Sequence, residues 1–342
     1  MTPKLIVDFR HPAHINFFKP SLYLLREEGW NIDIVVLDRG KVPRIAAEEF
    51  PGFKIYRIGR HRGTKLSIIF EANMLRLLKM GVFLAIHRYH IGISVSSFIL
   101  GAAAKTIGMP NLQFYDDPEY KKHFKLQKLT STKTYYPKIK DFSTDIETFT
   151  ALKEWAYLSP RYFSPHEKVL QEYELKKQQY IFVREVINSS LNYEDQDANI
   201  ISTFSDLFPE GFKVVLSLED KKAQRLYPKD WIILKEPVSD IHSLIFYSKL
   251  AISSGDSMAR EAAILGVPSI YCGIREMTAN RVLIEKGRLF HVGVEDCVEH
   301  MSKLINNEFG LVDQQSFINR LSDDWEDVTE FIVKRVKEFA KF

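Results

Sequence analysis

Cysteine is almost missing from this chain, with 2 among 342 residues, which excludes a disulfide scaffold and a four-cysteine zinc site. Long apolar runs are missing as well. The longest uncharged stretch, residues 91–104, holds 14 residues including three serines and two glycines, against about 20 apolar residues for a bilayer-spanning helix. The opening MTPKLIVDF turns polar and proline-containing too early for a signal peptide. Neither charge sign dominates: 47 basic and 44 acidic side chains leave a net charge of +3, which by itself gives no reason to expect nucleic acid. No Gly-x-Gly-x-x-Gly follows any apolar run, which disfavours a nicotinamide site. Internal repeats and low-complexity tracts are absent. With 45% hydrophobic and 27% charged residues, disorder is excluded too. What remains is a globular chain of about two domains, on a prior of roughly 150 residues each. Cys272 and Cys297 then read as reduced thiols of a cytoplasmic protein, in which the Asn188-Ser189-Ser190 sequon has no meaning.

Short apolar runs alternate with longer stretches of helical period, the pattern of βαβ units on parallel sheets. In the first half, KLIVDF at 4–9, IDIVVL at 32–37, and residues 54–58, 91–95 and 112–115 read as strands. A helix over 17–28, capped at Asn16 or a neighbour with Pro20 in its first turn, ends at Gly29. A basic amphipathic helix covers about 65–86, and another helix 98–107. A second strand series runs through residues 180–183, 213–216, 231–234, 250–252 and 269–271. Between the series, residues 143–177 read as a linker with a connecting helix. The fold class expected is α/β, two Rossmann-like doubly wound domains facing a cleft. The boundaries are 1–165, 166–322, and a C-terminal helix at 323–342 packing back on the first domain.

In open α/β sheets, ligands bind beyond the C-terminal ends of strands, where helix N-termini present N–H groups and positive dipole to anions. Three strand-end loops carry chemistry. After the first strand come Arg10, His11, His14 and Asn16; each histidine is an acid–base candidate or a helix cap. After the strand at 250–252 comes Ser253-Ser254-Gly255-Asp256-Ser257-Met258, with Glu261 about one helical turn further on. This loop is either a phosphate cradle with a ribose-binding carboxylate or an N-cap with Glu serving the helix dipole. After the strand at 112–115 come Asp116 and Asp117, a catalytic base or a helix start. Neighbouring carboxylates diverge, so a shared metal is disfavoured. Arg60, His61, Arg62 and Arg184 follow strands and suit a phosphate or a sugar acid. Ser96 and Ser97 suit a helix cap.

Charge is uneven along the chain. Residues 54–105 contain nine Lys/Arg and a single acid, Glu71. Within this stretch Met74, Leu75, Leu77, Leu78, Val82 and Phe83 form an apolar series flanked by Arg76, Lys79 and Arg88. Such a helix, at 65–88, either packs on the sheet in the ordinary way or makes peripheral contact with anionic lipid.

These residues resemble glycosyltransferases of the B-fold (GT-B). Ser254, Gly255, Glu261 and Gly266-Val267-Pro268 are similar to the donor site of the lipid-linked GlcNAc transferase of peptidoglycan synthesis. The non-hydrolysing UDP-GlcNAc 2-epimerases carry a similar segment with slightly different spacing. A closer resemblance is to an uncharacterised glycosyltransferase-like family, a domain of unknown function, spanning about residues 4–290. It is carried by Phe17-Phe18-Lys19-Pro20, Ile58-Gly59-Arg60-His61, Asp116-Asp117, residues 153–158 (KEWAYL), Ile181-Phe182-Val183-Arg184 and residues 257–268 (SMAREAAILGVP). Three features depart from the pattern. Arg10-His11-Pro12-Ala13 stands where the peptidoglycan enzyme has a glycine-rich loop. Asn188 to Asn192 replaces a His-Asp pair, and Asp256 puts a negative charge in the presumed phosphate loop.

The resemblance implies a metal-independent, cytoplasmic glycosyltransferase, peripheral at the inner membrane face if the basic helix touches lipid. It would use a nucleoside-diphosphate sugar, UDP-linked in first instance, as substrate rather than cofactor, in surface polysaccharide or glycolipid synthesis. Arg184, Ser254, Gly255, Asp256, Ser257, Met258 and Glu261 would hold the donor. His14 or Asp117 would serve as base, and Arg10, His11, Asn16, His61, Ser96 and Asp116 would line the saccharide or lipid-linked acceptor's side. The alternatives are a nucleotide-sugar 2-epimerase or hydrolase of the same fold, or a non-catalytic member.

Overall fold

The alternating apolar runs form two parallel sheets. The structure is a computed structural model that describes residues 2–60, 67–115, 121–138, 147–188, 193, 195–235, 238 and 240–340. It divides into unit 1, residues 1–162 with 325–342, and unit 2, residues 163–324.

Unit 1 holds a seven-stranded parallel sheet in the order β3-β2-β1-β4-β5-β6-β7. The strands are β1 (Lys4–Phe9), β2 (Asn31–Asp38), β3 (Lys54–Arg60), β4 (Ile91–Val95), β5 (Asn111–Phe114), β6 (Lys133–Pro137) and β7 (Glu147–Phe149). Unit 2 holds six strands in the order β10-β9-β8-β11-β12-β13. These are β8 (Tyr180–Glu185), β9 (Lys213–Leu218), β10 (Ile232–Ile233), β11 (Leu250–Ser253), β12 (Ser269–Tyr271) and β13 (Leu289–His291). Central strands read as unbroken apolar runs because helices cover both faces; β4 and β11 are buried along their whole length. Strand order reverses between β1 and β4 in unit 1 and between β8 and β11 in unit 2. Those reversals are the topological switch points where such sheets take ligands.

Three strands, β6, β7 and β13, were not expected from the sequence; two of them have only three residues, too few to show a period. The first helix also differs from expectation. It runs Pro12–Glu27, and its N-cap is His11, whose Nδ1 accepts the Ala13 N–H at 3.3 Å. Pro12 takes the first helical position, where no N–H is needed. Pro20 therefore lies in the helix interior, and Asn16, the expected cap, is a helical residue whose carbonyl receives no N–H from Pro20.

The basic helix, Leu75–His87, turns its Arg76-Met80-Leu84 stripe inward, where Met80 and Leu84 join Ile6, Val35, Ile58, Leu100 and Ala103 in the core of unit 1. Arg76, expected as a flanking cation, is fully buried: its Nε donates to the Ile58 carbonyl at 2.8 Å and its Nη2 pairs with Asp8. Of the apolar series, Met74, Leu75, Leu77, Leu78 and Val82 face outward, with Leu78 68% and Val82 61% exposed, whereas Phe83 packs partly against the core; Ile86, beyond the series, is 70% exposed. The last helix, Val328–Phe339, belongs to unit 1. Asp327 caps it and also takes Arg161 at 2.9 Å, while Thr329 donates to the Ala156 carbonyl at 2.7 Å. In unit 2, Ile181, Val183, Leu216, Ile252 and Ile270 form the core, and Cys272 and Cys297 are both free and buried in it.

Candidate functional site

At the switch point of unit 2, the ends of β8 and β11 are laced together. The Ser254 N–H donates to the Arg184 carbonyl at 3.0 Å, and the Val186 N–H donates to the Ser254 hydroxyl at 2.9 Å. The Ser253 hydroxyl folds over the turn, accepting from the Gly255 N–H at 3.0 Å and donating to the Gly255 carbonyl at 2.7 Å. From this turn the helix Asp256–Ile264 departs with Gly255 as N-cap and no side-chain cap. Its first-turn N–H groups lack intrahelical acceptors and carry the positive end of the helix dipole. Ser257 in this turn is exposed and Met258 half-buried.

Two sequence expectations change here. The Ser254 hydroxyl was expected on the diphosphate, but it is fully buried and closes the β8–β11 turn. Asp256 was expected inside the phosphate loop, and its carboxylate points inward at 1% exposure. Oδ2 accepts Arg260 Nη1 at 2.7 Å and lies 3.6 Å from Arg275 Nη1, while the Tyr193 hydroxyl donates to Oδ1. Burial alone would raise this carboxyl; Arg260, Arg275 and Tyr193 outweigh it and hold it below the ordinary carboxylate range. Arg260 also donates to Asn280 Oδ1 at 2.9 Å. The negative charge is thus cancelled beneath the turn rather than presented to an anion. Glu185 packs beside it, its carboxyl pushed up by burial against hydrogen bonds that favour ionisation from the Ser254 hydroxyl, the Ile201 N–H and Tyr227.

Glu261 lies in the helix's second turn at 8% exposure, its Oε2 3.5 Å from His242 Nε2. The helix then ends in Gly266, whose φ of +72° reverses the chain. The Val267 N–H returns to the Ala262 carbonyl at 3.0 Å, a Schellman closure that explains the glycine of Gly266-Val267-Pro268. Arg184 donates to the Ser217 hydroxyl at 2.7 Å and pairs with Glu219, whose other oxygen takes the Ile187 N–H at 3.0 Å. Its charge is matched by Glu219, so it braces β8 against β9.

Gly273 approaches from the end of β12. A Cβ there would lie 2.4 Å from the Ser254 carbonyl oxygen and 2.6 Å from Gln196 Oε1. Gln196 in turn donates to that same carbonyl at 3.2 Å. Gly273→Ala is therefore expected to lower stability by about 2–3 kcal/mol through overpacking against backbone, read as a fall in the urea midpoint; an unchanged midpoint would mean that the turn is looser than described.

In unit 1 the predicted residues Arg10, His11 and Ser96 follow the strands of the corresponding switch point, and His14 and Asn16 lie on the helix after β1. Arg10 Nη1 donates to the Ser96 carbonyl at 3.2 Å. Burial pulls the Arg10 guanidinium below its ordinary value; Asp8 opposes this, and Arg76 and Arg39 add to it. Ser96 holds a φ of 53°, and Ser97 caps the helix Phe98–Thr106 while donating to Asp8. His14 is the third residue of its helix, its ring 6.0 Å from that of His11; Asn16, two residues on, is half-buried. His61, Asp116 and Asp117 lie outside the described residues. Among the described residues no group of three His, Cys, Asp or Glu is arranged to hold a metal ion.

Sequence reasoning missed His242, which meets Glu261 from the helix Ile241–Phe246, and Arg275, Tyr193 and Gln196, which reach the turn from loops; none leaves a local signal. The Asp256–Arg260 pair was missed too, although its i,i+4 spacing is the signal that could have found it.

The model of a family described as protein of unknown function, DUF354, matches residues 4–341. The uncharacterised protein MJ0665 of Methanocaldococcus jannaschii is 22% identical over 351 residues, covering 98% of each chain. Among solved structures, the glycosyltransferase VinC in complex with dTDP is similar at 11% identity and a TM-score of 0.69, over 98% of this chain and 99% of its own. The UDP-GlcNAc 2-epimerase of Neisseria meningitidis bound to UDP-GlcNAc is similar at 12% identity and a TM-score of 0.66, over 98% of this chain and 100% of its own. Two parallel-sheet Rossmann-like units of GT-B type are the fold these likenesses share with the chain.

Proposed function

The chain belongs to the DUF354 family, and on that footing we propose that it is a metal-independent glycosyltransferase that uses a nucleoside-diphosphate sugar. The observation that carries this reading is the turn after β11. It opens a helix with no side-chain cap at the sheet's switch point, and the carboxylate in its first turn, Asp256, is neutralised from below. The amides of Ser257 and Met258 would take the diphosphate. Glu261, held by His242, would accept the ribose hydroxyls. Arg275, 19% exposed on its side chain, and the helix dipole would offset the charge that develops on the leaving nucleotide. On unit 1, His14 is the candidate base toward a saccharide or lipid-linked acceptor. That VinC was solved with dTDP and the Neisseria epimerase with UDP-GlcNAc supports a nucleotide-sugar ligand for this fold.

A thermal-shift screen of the full chain against UDP-, GDP-, CMP- and dTDP-linked sugars tests the reading. A ligand at 100 times its Kd adds about 2.7 kcal/mol of stability, so one nucleotide class is expected to raise Tm clearly. No shift with any of them at millimolar concentration would overturn the reading and leave a non-catalytic member. The likeness to the epimerase gives the second reading, epimerisation or hydrolysis of one nucleotide sugar. Incubation without acceptor separates the two, since transfer predicts an unchanged donor, and an altered sugar or rapidly released nucleotide would favour the alternative.

A further inference from the structure

We infer that unit 1 docks on the surface of an anionic lipid bilayer through the helices Leu75–His87, Phe98–Thr106 and Lys121–Thr130. These helices follow β3, β4 and β5, and right-handed crossovers place all of them on one side of the sheet. They also pack side by side in that order. Among the described residues nothing covers their outward apolar side chains. Leu78, Val82 and Ile86 recur at helical spacing, and exposed Ile107, Leu126 and Leu129 continue the patch across the neighbouring helices.

Charge decides what covers this face. From Ala72 to Tyr115 the sequence contains no Asp or Glu, and the helix KKHFKLQKLT contributes four lysines and no acid. Lys79, Arg88, Lys105 and Lys128 are exposed around the leucines. A second copy of the chain would bring like charges together at a two-fold contact, whereas anionic headgroups complement the cations as acyl chains receive the apolar side chains. Among the described residues no helix is long and apolar enough to cross a membrane, so the contact is interfacial. This inference does not depend on the nucleotide-sugar reading, and the two fail separately.

Sedimentation of the full chain with vesicles tests it. Binding is expected to vesicles containing phosphatidylglycerol, to weaken as salt is raised, and to be absent with pure phosphatidylcholine. The triple variant Leu78→Ser, Val82→Ser, Ile86→Ser changes only exposed side chains and is expected to bind at least about tenfold more weakly, with its circular dichroism and Tm retained. Lys79→Glu with Lys128→Glu is expected to act in the same direction. Wild-type protein that ignores anionic vesicles, or a serine variant that binds them equally well, would overturn the inference. So would a wild-type dimer that the serine variant converts to monomer, since the face would then be a contact between copies.

Discussion

Asp256→Ala is expected to destabilise the protein by about 3–5 kcal/mol, because it removes the carboxylate from a buried ion pair. Arg260, 1% exposed, would keep only Asn280 among the partners described above, and Tyr193 would lose its acceptor. A denaturant titration measures the loss. The alternative geometry, a carboxylate projecting from the phosphate turn into solvent, predicts the opposite pattern: a cost within about 0.5 kcal/mol and tighter nucleotide binding once the repulsive charge is gone. The linkage has a definite sign. The folded-state pKa of Asp256 lies below the ordinary value of 3.8, so its contribution is complete above that value and lost as pH falls through the folded pKa. The stability gap between wild type and Asp256→Asn should therefore hold from neutrality down to about pH 4 and close in more acid solution.

The second large effect is expected at Arg76. Arg76→Ala leaves Asp8, with no exposed side-chain area, hydrogen-bonded to the Ser97 hydroxyl and with Arg10 as its remaining described charge partner. Loss of one partner of a buried pair costs about 3–5 kcal/mol. Replacing both charges by Asp8→Asn with Arg76→Met should restore part of it, since neither change then orphans an ion. Urea unfolding of the two variants supplies the comparison. If Arg76→Ala cost no more than a surface substitution, the inward stripe of this helix would be assigned wrongly, and with it the outward leucines on which lipid docking depends.

Arg76 also marks where the sequence stops being legible. An apolar series flanked by cations looks the same whether the leucines or the arginine face the sheet. The choice depends on Asp8, a carboxylate 68 positions away that β1 delivers beneath the helix. The strands carried their own evidence: KLIVDF and the apolar run at β4 match the observed elements residue for residue, because buried parallel strands are uninterrupted apolar runs. The switch points emerged only with the strand order of the folded sheets, whereas the turn at Ser253 to Asp256 was found from its small residues before a helical period. Its internal bookkeeping of hydrogen bonds was not found. Ser254 and Arg184 look like ligands in one dimension, but Val186 and Glu219, brought in by neighbouring strands, already engage them. The first helix began five residues early because His11 supplied the cap that Asn16 seemed suited to give, and a proline at the first helical position favours that start.

Under the proposed function, the helix beginning at Asp256 holds a nucleoside diphosphate, with Glu261 on the ribose. Calorimetric titration of UDP, or of whichever nucleotide the thermal screen selects, into wild type and Glu261→Ala tests it most directly. Measurable binding to wild type is expected, with a loss of about 1–3 kcal/mol in the variant from charged hydrogen bonds to the ribose hydroxyls. Equal affinities in the two proteins, or no heat of binding in wild type at millimolar nucleotide, would contradict it.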